Sequence, residues 1–190
     1  LNLKNLKKGT NINSFLRINT KLHEKSIIKI SYDYQAGSYI KNYDHKLTTK
    51  MLGPIINELN NSYYKSLLDF GTGELTTLYA LTKKLKKKPK LFACDCSFLR
   101  LKYGLNKFKK YFSNKDLTLF VNSPYTLPFK NNSIDIIITC HALEPNKKNF
   151  DKILNELIRV CSNKIILIEP DFSIANKKAK KRFLKHNYIT

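Results

Sequence analysis

The sequence predicts an α/β fold: a doubly wound, mostly parallel sheet of about five strands with helices on both faces. Two observations predict it. From residue 66 onward, short β-branched or apolar runs alternate with segments able to form helices or loops. The runs are also apolar at successive positions, so each strand is covered on both faces, as inside a parallel sheet. Right-handed crossovers between parallel strands then place a ligand crevice at their carboxyl ends.

With 190 residues, 42% of them hydrophobic, the chain has apolar material for one packed core but hardly for two. A single domain is expected, with residues 1–62 forming an N-terminal arm and lid helices and residues 63–190 the core. The Asn/Lys-rich opening, to about residue 25, lacks clean periodicity and reads as a poorly ordered arm. After the polar-aromatic stretch SYDYQAGSYIKNYD, Leu47, Met51, Leu52, Ile55, Ile56 and Leu59 recur at helical spacing. Gly53-Pro54 interrupts them, which gives a kinked helix or two short ones. The strands are SLLDF (66–70), KLFACD (90–95), LTLFVN (117–122), IDIIIT (134–139) and KIILIE (164–169). Helices fit at about 74–87, 97–112, 147–162 and 173–186, with Ser97 and Ser173 as N-caps.

The formal charge of +21 resembles a nucleic-acid signal. Yet only four of the 35 basic residues are arginine, the better reader of bases and phosphates, and the lysines are scattered. Their runs at Lys83 to Lys90 and Lys177 to Lys181 sit where solvated helix faces and ends belong. A compositional origin is therefore preferred to RNA or DNA binding, and a small-molecule substrate is the expected partner; oligomeric state is not readable. Cys94, Cys96, Cys140 and Cys161 lie in or beside apolar runs without C-x-x-C spacing, as reduced cytoplasmic thiols do. Cys94 and Cys96, two apart on one strand, read as packing rather than as a redox pair. No membrane span, signal sequence or metal-ligand cluster is indicated.

The chemistry concentrates in LLDFGTGELTT, residues 67–77, where a strand ends at Asp69 and Phe70, turns through Gly71-Thr72-Gly73 and opens a helix. Glycine lets the backbone approach a ligand closely. Asp95 ends the next strand 26 residues later, placed to accept hydrogen bonds from both hydroxyls of a ribose. Together they describe a nucleoside-binding crevice. A nicotinamide-dependent oxidoreductase shares this plan, but its pyrophosphate requires bare N–H groups, and here Asp69 and Glu74 flank the loop while Thr76 stands at the third glycine. Each carboxylate near a pyrophosphate would cost on the order of one to a few kcal/mol. A cationic nucleoside suits the loop better.

Residues 66–170 resemble a class I S-adenosylmethionine-dependent methyltransferase, a Rossmann-like enzyme. The pattern is close to the type-11 group that includes the ubiquinone and menaquinone biosynthesis methyltransferases. LLDFGTGELTT resembles that family's first motif, Asp95 falls at its ribose-binding acid, and SPYTLPFKNNSIDIII (123–138) resembles the stretch from the adenine loop into the fourth strand. The resemblance implies S-adenosyl-L-methionine as cofactor. Asp69, Gly71 and Gly73 would line its methionine half, Asp95 the ribose, and Asn122 and Ser123 the adenine, with Thr72, Cys96, Thr139 and the lid residue Tyr39 completing the set. At the adenine loop the family usually has an aspartate where this chain has Ser123. The family also continues into sixth and seventh strands, whereas this sequence runs from Leu1 to Thr190, which reads as a fragment. A non-catalytic or RNA-associated domain on a decayed methyltransferase core is a further alternative.

TCHALEPN, residues 139–146, follows the fourth strand. Here His141 is a candidate general base and Glu144 a candidate to orient a substrate amine or hydroxyl. Alternatively His141 packs near the methionine end and Glu144 caps the next helix. The stretch also resembles uncharacterised bacterial methyltransferases with a similar H-x-x-E-P-N and a later E-P, here Glu169-Pro170. Tyr32, Tyr34, Gln35, Ser38 and Tyr39 read either as a lid enclosing a sulfonium through cation-π contacts or as an amphipathic helix packing on the sheet.

Overall fold

The structure, a computed structural model, describes residues 12–186 and Tyr188. Among the described residues five helices precede the sheet: α1 (Ile12–Asn19), α2 (Glu24–Gln35), α3 (Ser38–Lys41), α4 (His45–Met51) and α5 (Gly53–Asn61). The remainder alternates as the sequence reading expects: β1 (Ser66–Phe70), α6 (Thr76–Thr82), β2 (Lys90–Asp95), α7 (Phe98–Phe112), β3 (Leu117–Val121), β4 (Ile134–Cys140), a 3₁₀ segment (Glu144–Asn149), α8 (Phe150–Val160), β5 (Cys161–Ile168) and α9 (Lys177–His186). No described helix is long and apolar enough to cross a membrane.

Every strand pairing is parallel, and the strand order is β3-β2-β1-β4-β5. The chain runs outward from β1 to β3, then crosses back to place β4 on the other side of β1. The carboxyl ends of β1 and β4 thus open a crevice where their connections diverge in opposite directions. Alternate residues feed two cores. Leu67, Leu91, Ala93, Ile136 and Ile138 pack with α5, α6 and α7 through Leu59, Leu78, Leu81 and Phe108. Leu68, Phe70, Cys94 and Ile137 pack on the opposite face with Ile153, Leu157 and Val160 of α8. This two-sided burial is why β1, β2 and β4 lack polar alternation, whereas the edge strands β3 and β5, expected to be covered on both faces, keep exposed positions.

Ser97 caps α7 as expected, its Oγ accepting from the Arg100 N–H at 3.1 Å. Gly53-Pro54 does split the preceding helix in two, with proline in the first turn of α5 where its missing N–H is harmless. Four boundaries differ from expectation. The helix placed at 74–87 runs only over Thr76–Thr82, because Glu74 and Leu75 are spent in the glycine loop, Leu75 at φ 60°, and the lysine run after Lys83 brings only Leu85 onto the core. Ser173 is not a cap: its hydroxyl bonds Asp171, and Asn176 caps α9 by accepting from the Ala179 N–H. The helix placed at 147–162 is a 3₁₀ segment followed by α8, and β5 starts at Cys161, which pairs with Ile134. Finally, residues 1–11 of the proposed disordered arm lie outside the described residues, but residues 12–19 form α1, buried through Ile12 and Leu16 against Ile27 of α2.

Helix α7 approaches the glycine loop closely enough that position 104 admits no side chain. A Cβ on Gly104 would sit 2.5 Å from the Glu74 carbonyl oxygen. Gly104→Ala is therefore expected to destabilise the fold by about 1–3 kcal/mol, read as a lowered thermal midpoint. An unchanged midpoint would show that α7 is free to move away from the loop.

Candidate functional site

At the carboxyl ends of β1, β2 and β4 lies a cavity of about 280 Å³, near the lower end of the roughly 300–1,000 Å³ typical of small-molecule sites. Gly71, Asp95, Cys96, Asn122, Ser123 and His141, all singled out from the sequence, line it. Asp69, Thr72, Gly73 and Thr139 lie just beneath or beside it and are buried or in the loop, while Tyr39 and Glu144 contact residues that line it.

Asp95 is held in place from two sides. Its Oδ2 accepts from the Gly73 N–H at 2.9 Å and its Oδ1 from the Ser97 N–H at 2.8 Å. Each oxygen keeps a further lone pair for a ligand hydroxyl. Gly71 (φ 71°) and Gly73 (φ 56°) adopt the left-handed conformation that the tight turn requires. They also allow close approach: a Cβ on Gly71 would collide with Ala142, and one on Gly73 with the Arg100 guanidinium.

Asp69 is completely enclosed at the end of β1. Its Oδ2 accepts from the Thr72 hydroxyl at 2.5 Å, and its Oδ1 is buried with no hydrogen-bond partner. Burial raises its carboxyl to about 7, with Thr72 opposing and Asp95 adding to the rise. Burial likewise lifts the Cys94 thiol, and lifts Cys96 to about 12 with help from Asp95. Neither is a reactive thiolate. Both line the cavity, but Cys94 also packs in the core whereas Cys96 lies beyond the strand end, so the expectation that both serve packing holds only for the first.

Glu74 corrects a second expectation. Read as a carboxylate facing the ligand, it is instead turned into the N-terminal segment, where Oε1 accepts from the Gly37 N–H at 2.8 Å and Oε2 from the Ile40 N–H at 2.7 Å. The segment is fastened further by Asp33, which accepts from the Ser97 hydroxyl at 2.5 Å. Helices α2 and α3 thereby close over the crevice, and Ile28, Lys29 and Tyr32 of α2 form part of its wall.

Arg100 was missed by sequence reasoning. It lines the cavity, lies 4.5 Å from the Tyr39 ring centroid and 5.2 Å from that of Tyr32, and its buried Nε makes no hydrogen bond. Its Nε is 4.0 Å from Glu74. The tyrosines expected to surround a cationic ligand thus surround the protein's own cation. The available signal was arginine's scarcity in a lysine-rich chain.

At the other end, the loop after β4 is organised by Glu169. Its carboxylate accepts from the Thr139 hydroxyl at 2.8 Å and from the N–H groups of Ala142, Leu143 and Glu144 at 3.0–3.3 Å. This holds His141 at φ 55° with its ring half-exposed at the cavity. Nδ1 of His141 is 3.7 Å from Glu144 Oε1. That neighbouring carboxylate raises the imidazole above its ordinary value against the opposing effect of burial. Glu144 Oε2 is buried without a partner. Asn122 uses its amide to donate to the backbone oxygens of Ser123 and Thr126, bracing the loop after β3.

Residues 67–164 match the family model described as "Methyltransferase domain". As the match covers more than half of the chain, the protein belongs to that methyltransferase family. Its fold is that of solved methyltransferases. One is a S-adenosylmethionine-dependent methyltransferase from Aquifex aeolicus, 19% identical with TM-score 0.54, over 75% of this chain and 87% of that one. Another is magnesium protoporphyrin IX methyltransferase from Synechocystis PCC 6803 with S-adenosylhomocysteine bound, 14% identical with TM-score 0.59, over 75% and 70%. The YcgJ protein from Bacillus subtilis is also similar, 19% identical with TM-score 0.53, over 62% and 49%, so the chain spans about half of its length. No curated protein sequence matches significantly.

The Asp69 carboxyl predicts a pH dependence. Because its folded-state value is raised, the stability it confers is fully present below its unfolded value of 3.8 and is lost as pH rises through about 7. Relative to Asp69→Asn, the wild-type protein without ligand is expected to lose on the order of a few kcal/mol between these limits, measured by denaturant unfolding at each pH. A pH-independent difference would show that Asp69 titrates normally.

Proposed function

We propose that the protein is a S-adenosyl-L-methionine-dependent methyltransferase acting on a small-molecule acceptor. The observation that carries this reading is Asp95, positioned by two backbone N–H groups at the cavity wall inside a chain of the methyltransferase family. The residues fit the cofactor. Asp95 would take the ribose hydroxyls, the loop of Asn122 and Ser123 the adenine, and Gly71 would admit the amino-acid half. Arg100, whose Nε lacks a hydrogen-bond partner, would take that half's carboxylate. The orphaned Oδ1 of Asp69 is the acceptor that a cationic ligand would engage, and the ligand's ammonium and sulfonium would favour the ionised carboxylate. With Glu74 turned away, Asp69 bears that role without it. The cofactor, when bound, supplies an electrophilic methyl group.

The protein's contribution is then chiefly placement of the acceptor. His141, fixed by the loop that Glu169 holds, is positioned to receive a proton from an acceptor nucleophile, and Glu144 offers its unpartnered oxygen to an acceptor N–H or O–H. The N-terminal helices, closed over the crevice, would exclude water as a lid. In this reading residues 1–62 are the arm and lid and residues 63–190 the binding core.

Isothermal titration with S-adenosylhomocysteine is expected to show micromolar binding that Asp95→Ala abolishes, with NAD showing none. Binding of NAD in its place would favour an oxidoreductase, and no binding by the folded protein would reduce the family assignment to ancestry. If His141 is the base, the acidic limb of the rate profile lies above the ordinary histidine value of 6.5, since Glu144 favours imidazolium. Glu144→Gln should move that limb to lower pH, as read from kcat/KM against pH; an unmoved limb would remove His141 from the proton path.

A further inference from the structure

Helix α9, KKAKKRFLKH, carries six lysines and arginines in ten residues and no acid. Phe183 marks its inward side, 3% exposed and in contact with the Phe172 and Tyr188 rings. At about 100° per residue, Lys177, Lys181 and Lys185 form one stripe on the outward side with Lys178 beside it, and all four are exposed. Among the described residues no ion pair involves α9. Lys180 stands apart from the stripe, donating to the Ser173 carbonyl at 3.1 Å near Asp171. Like charges at i, i+4 destabilise a helix, so the stripe is a cost that an anionic partner relieves.

Two aliphatic side chains flank the stripe. Leu184, one turn beyond Lys180, is 66% exposed, and Ile174, in the turn before the helix, is 84% exposed, the highest value among the described large hydrophobics. The bond from Lys180 to Ser173 draws that turn to the side of the helix that carries Leu184.

We infer that α9 and the Ile174 turn form a docking surface for an anionic lipid bilayer, with the lysines against the headgroups and Ile174 and Leu184 entering the interface. What accompanies the charge selects this partner. Aliphatic groups gain from an apolar layer beneath a charged surface, whereas single-stranded nucleic acid is met by exposed aromatic rings and by arginine. Here Phe183 is turned inward, and the one arginine of the helix, Arg182, lies over its ring. The lysine run at 83–90 lacks the second component, because Leu85, its one large apolar residue, packs on the core. The helix lies on the bilayer without crossing it, and the surface does not depend on the cofactor reading.

The test is sedimentation of the full chain with vesicles of phosphatidylcholine alone, and of phosphatidylcholine mixed with phosphatidylglycerol, over a salt series. Binding confined to the anionic vesicles and weakening as salt rises is expected. Lys177→Gln/Lys181→Gln/Lys185→Gln should weaken it roughly a hundredfold. Lys84→Gln/Lys86→Gln/Lys88→Gln removes the same charge from the other lysine run and should change it by less than about twofold. Ile174→Ser/Leu184→Ser should weaken it about tenfold. Arg182 is left intact because its charge reaches His141. Equal weakening by the two lysine triples, or none by the aliphatic pair, would overturn the inference, since net charge alone would then explain adsorption. So would absence of vesicle binding by the wild-type chain, or binding of a single-stranded RNA oligonucleotide through α9 in its place. Circular dichroism and the thermal midpoint of each variant show whether it is folded.

Discussion

Buried backbone N–H groups that leave the sheet ladder must find acceptors, and in this protein carboxylates supply them. Asp95 takes the N–H groups of Gly73 and Ser97, Glu169 those of Ala142, Leu143 and Glu144, and Glu74 those of Gly37 and Ile40. At the opposite, amino-terminal end of the strands Asp135 takes Lys65 and Ser66. A carboxylate can accept several donors at once, so each fixes a whole turn. The glycine loop, the loop after β4 and the covering helices all depend on these anchors. The chain has 14 acidic residues against 35 basic ones, and a notable share of the acids is engaged inside. The positive character of the surface therefore reflects where the acids sit as well as how many lysines there are.

This arrangement also separates charge within the crevice. Asp69 is enclosed beneath the glycine loop, Arg100 lies above it between Tyr32 and Tyr39, and the histidine with its carboxylate stands at the far end. A zwitterionic ligand fits such a field better than a polyanion does, because an enclosed carboxylate repels phosphate and a stacked guanidinium holds one carboxylate well. The dinucleotide alternative is weakened by this field as a whole, although Glu74, one of the two residues first invoked against it, is not involved.

The strands were legible because burial on both faces leaves an uninterrupted apolar signature; β1 and β2 begin and end where SLLDF and KLFACD do. The Ser97 cap was legible because a serine precedes an apolar periodic run, whereas Ser173 looked the same and lost to Asn176, which lies nearer the start of α9. At the site, Asp95, Gly71, Asn122, Ser123 and His141 were recognisable from their places just after strand ends. Arg100, the direction of Glu74 and the work of Glu169 were not. Each is settled by a partner 25 or more residues away, or by aromatic rings contributed from another helix, and local spacing holds no record of where a long side chain turns.

The attachment of α2 and α3 has a consequence for the birth of the molecule. Gly37 and Ile40 are anchored by Glu74, and Asp33 by Ser97 and Leu99, partners lying 34 to 66 residues further along the chain. On the ribosome these helices emerge before Glu74 and Ser97, to which they are fastened, so they are installed later than they are made. Until β2 and the first turn of α7 have been synthesised, α2 has only α1 to rest upon, through Ile27, and a nascent chain that stalls before residue 97 presents its remaining apolar positions to its surroundings.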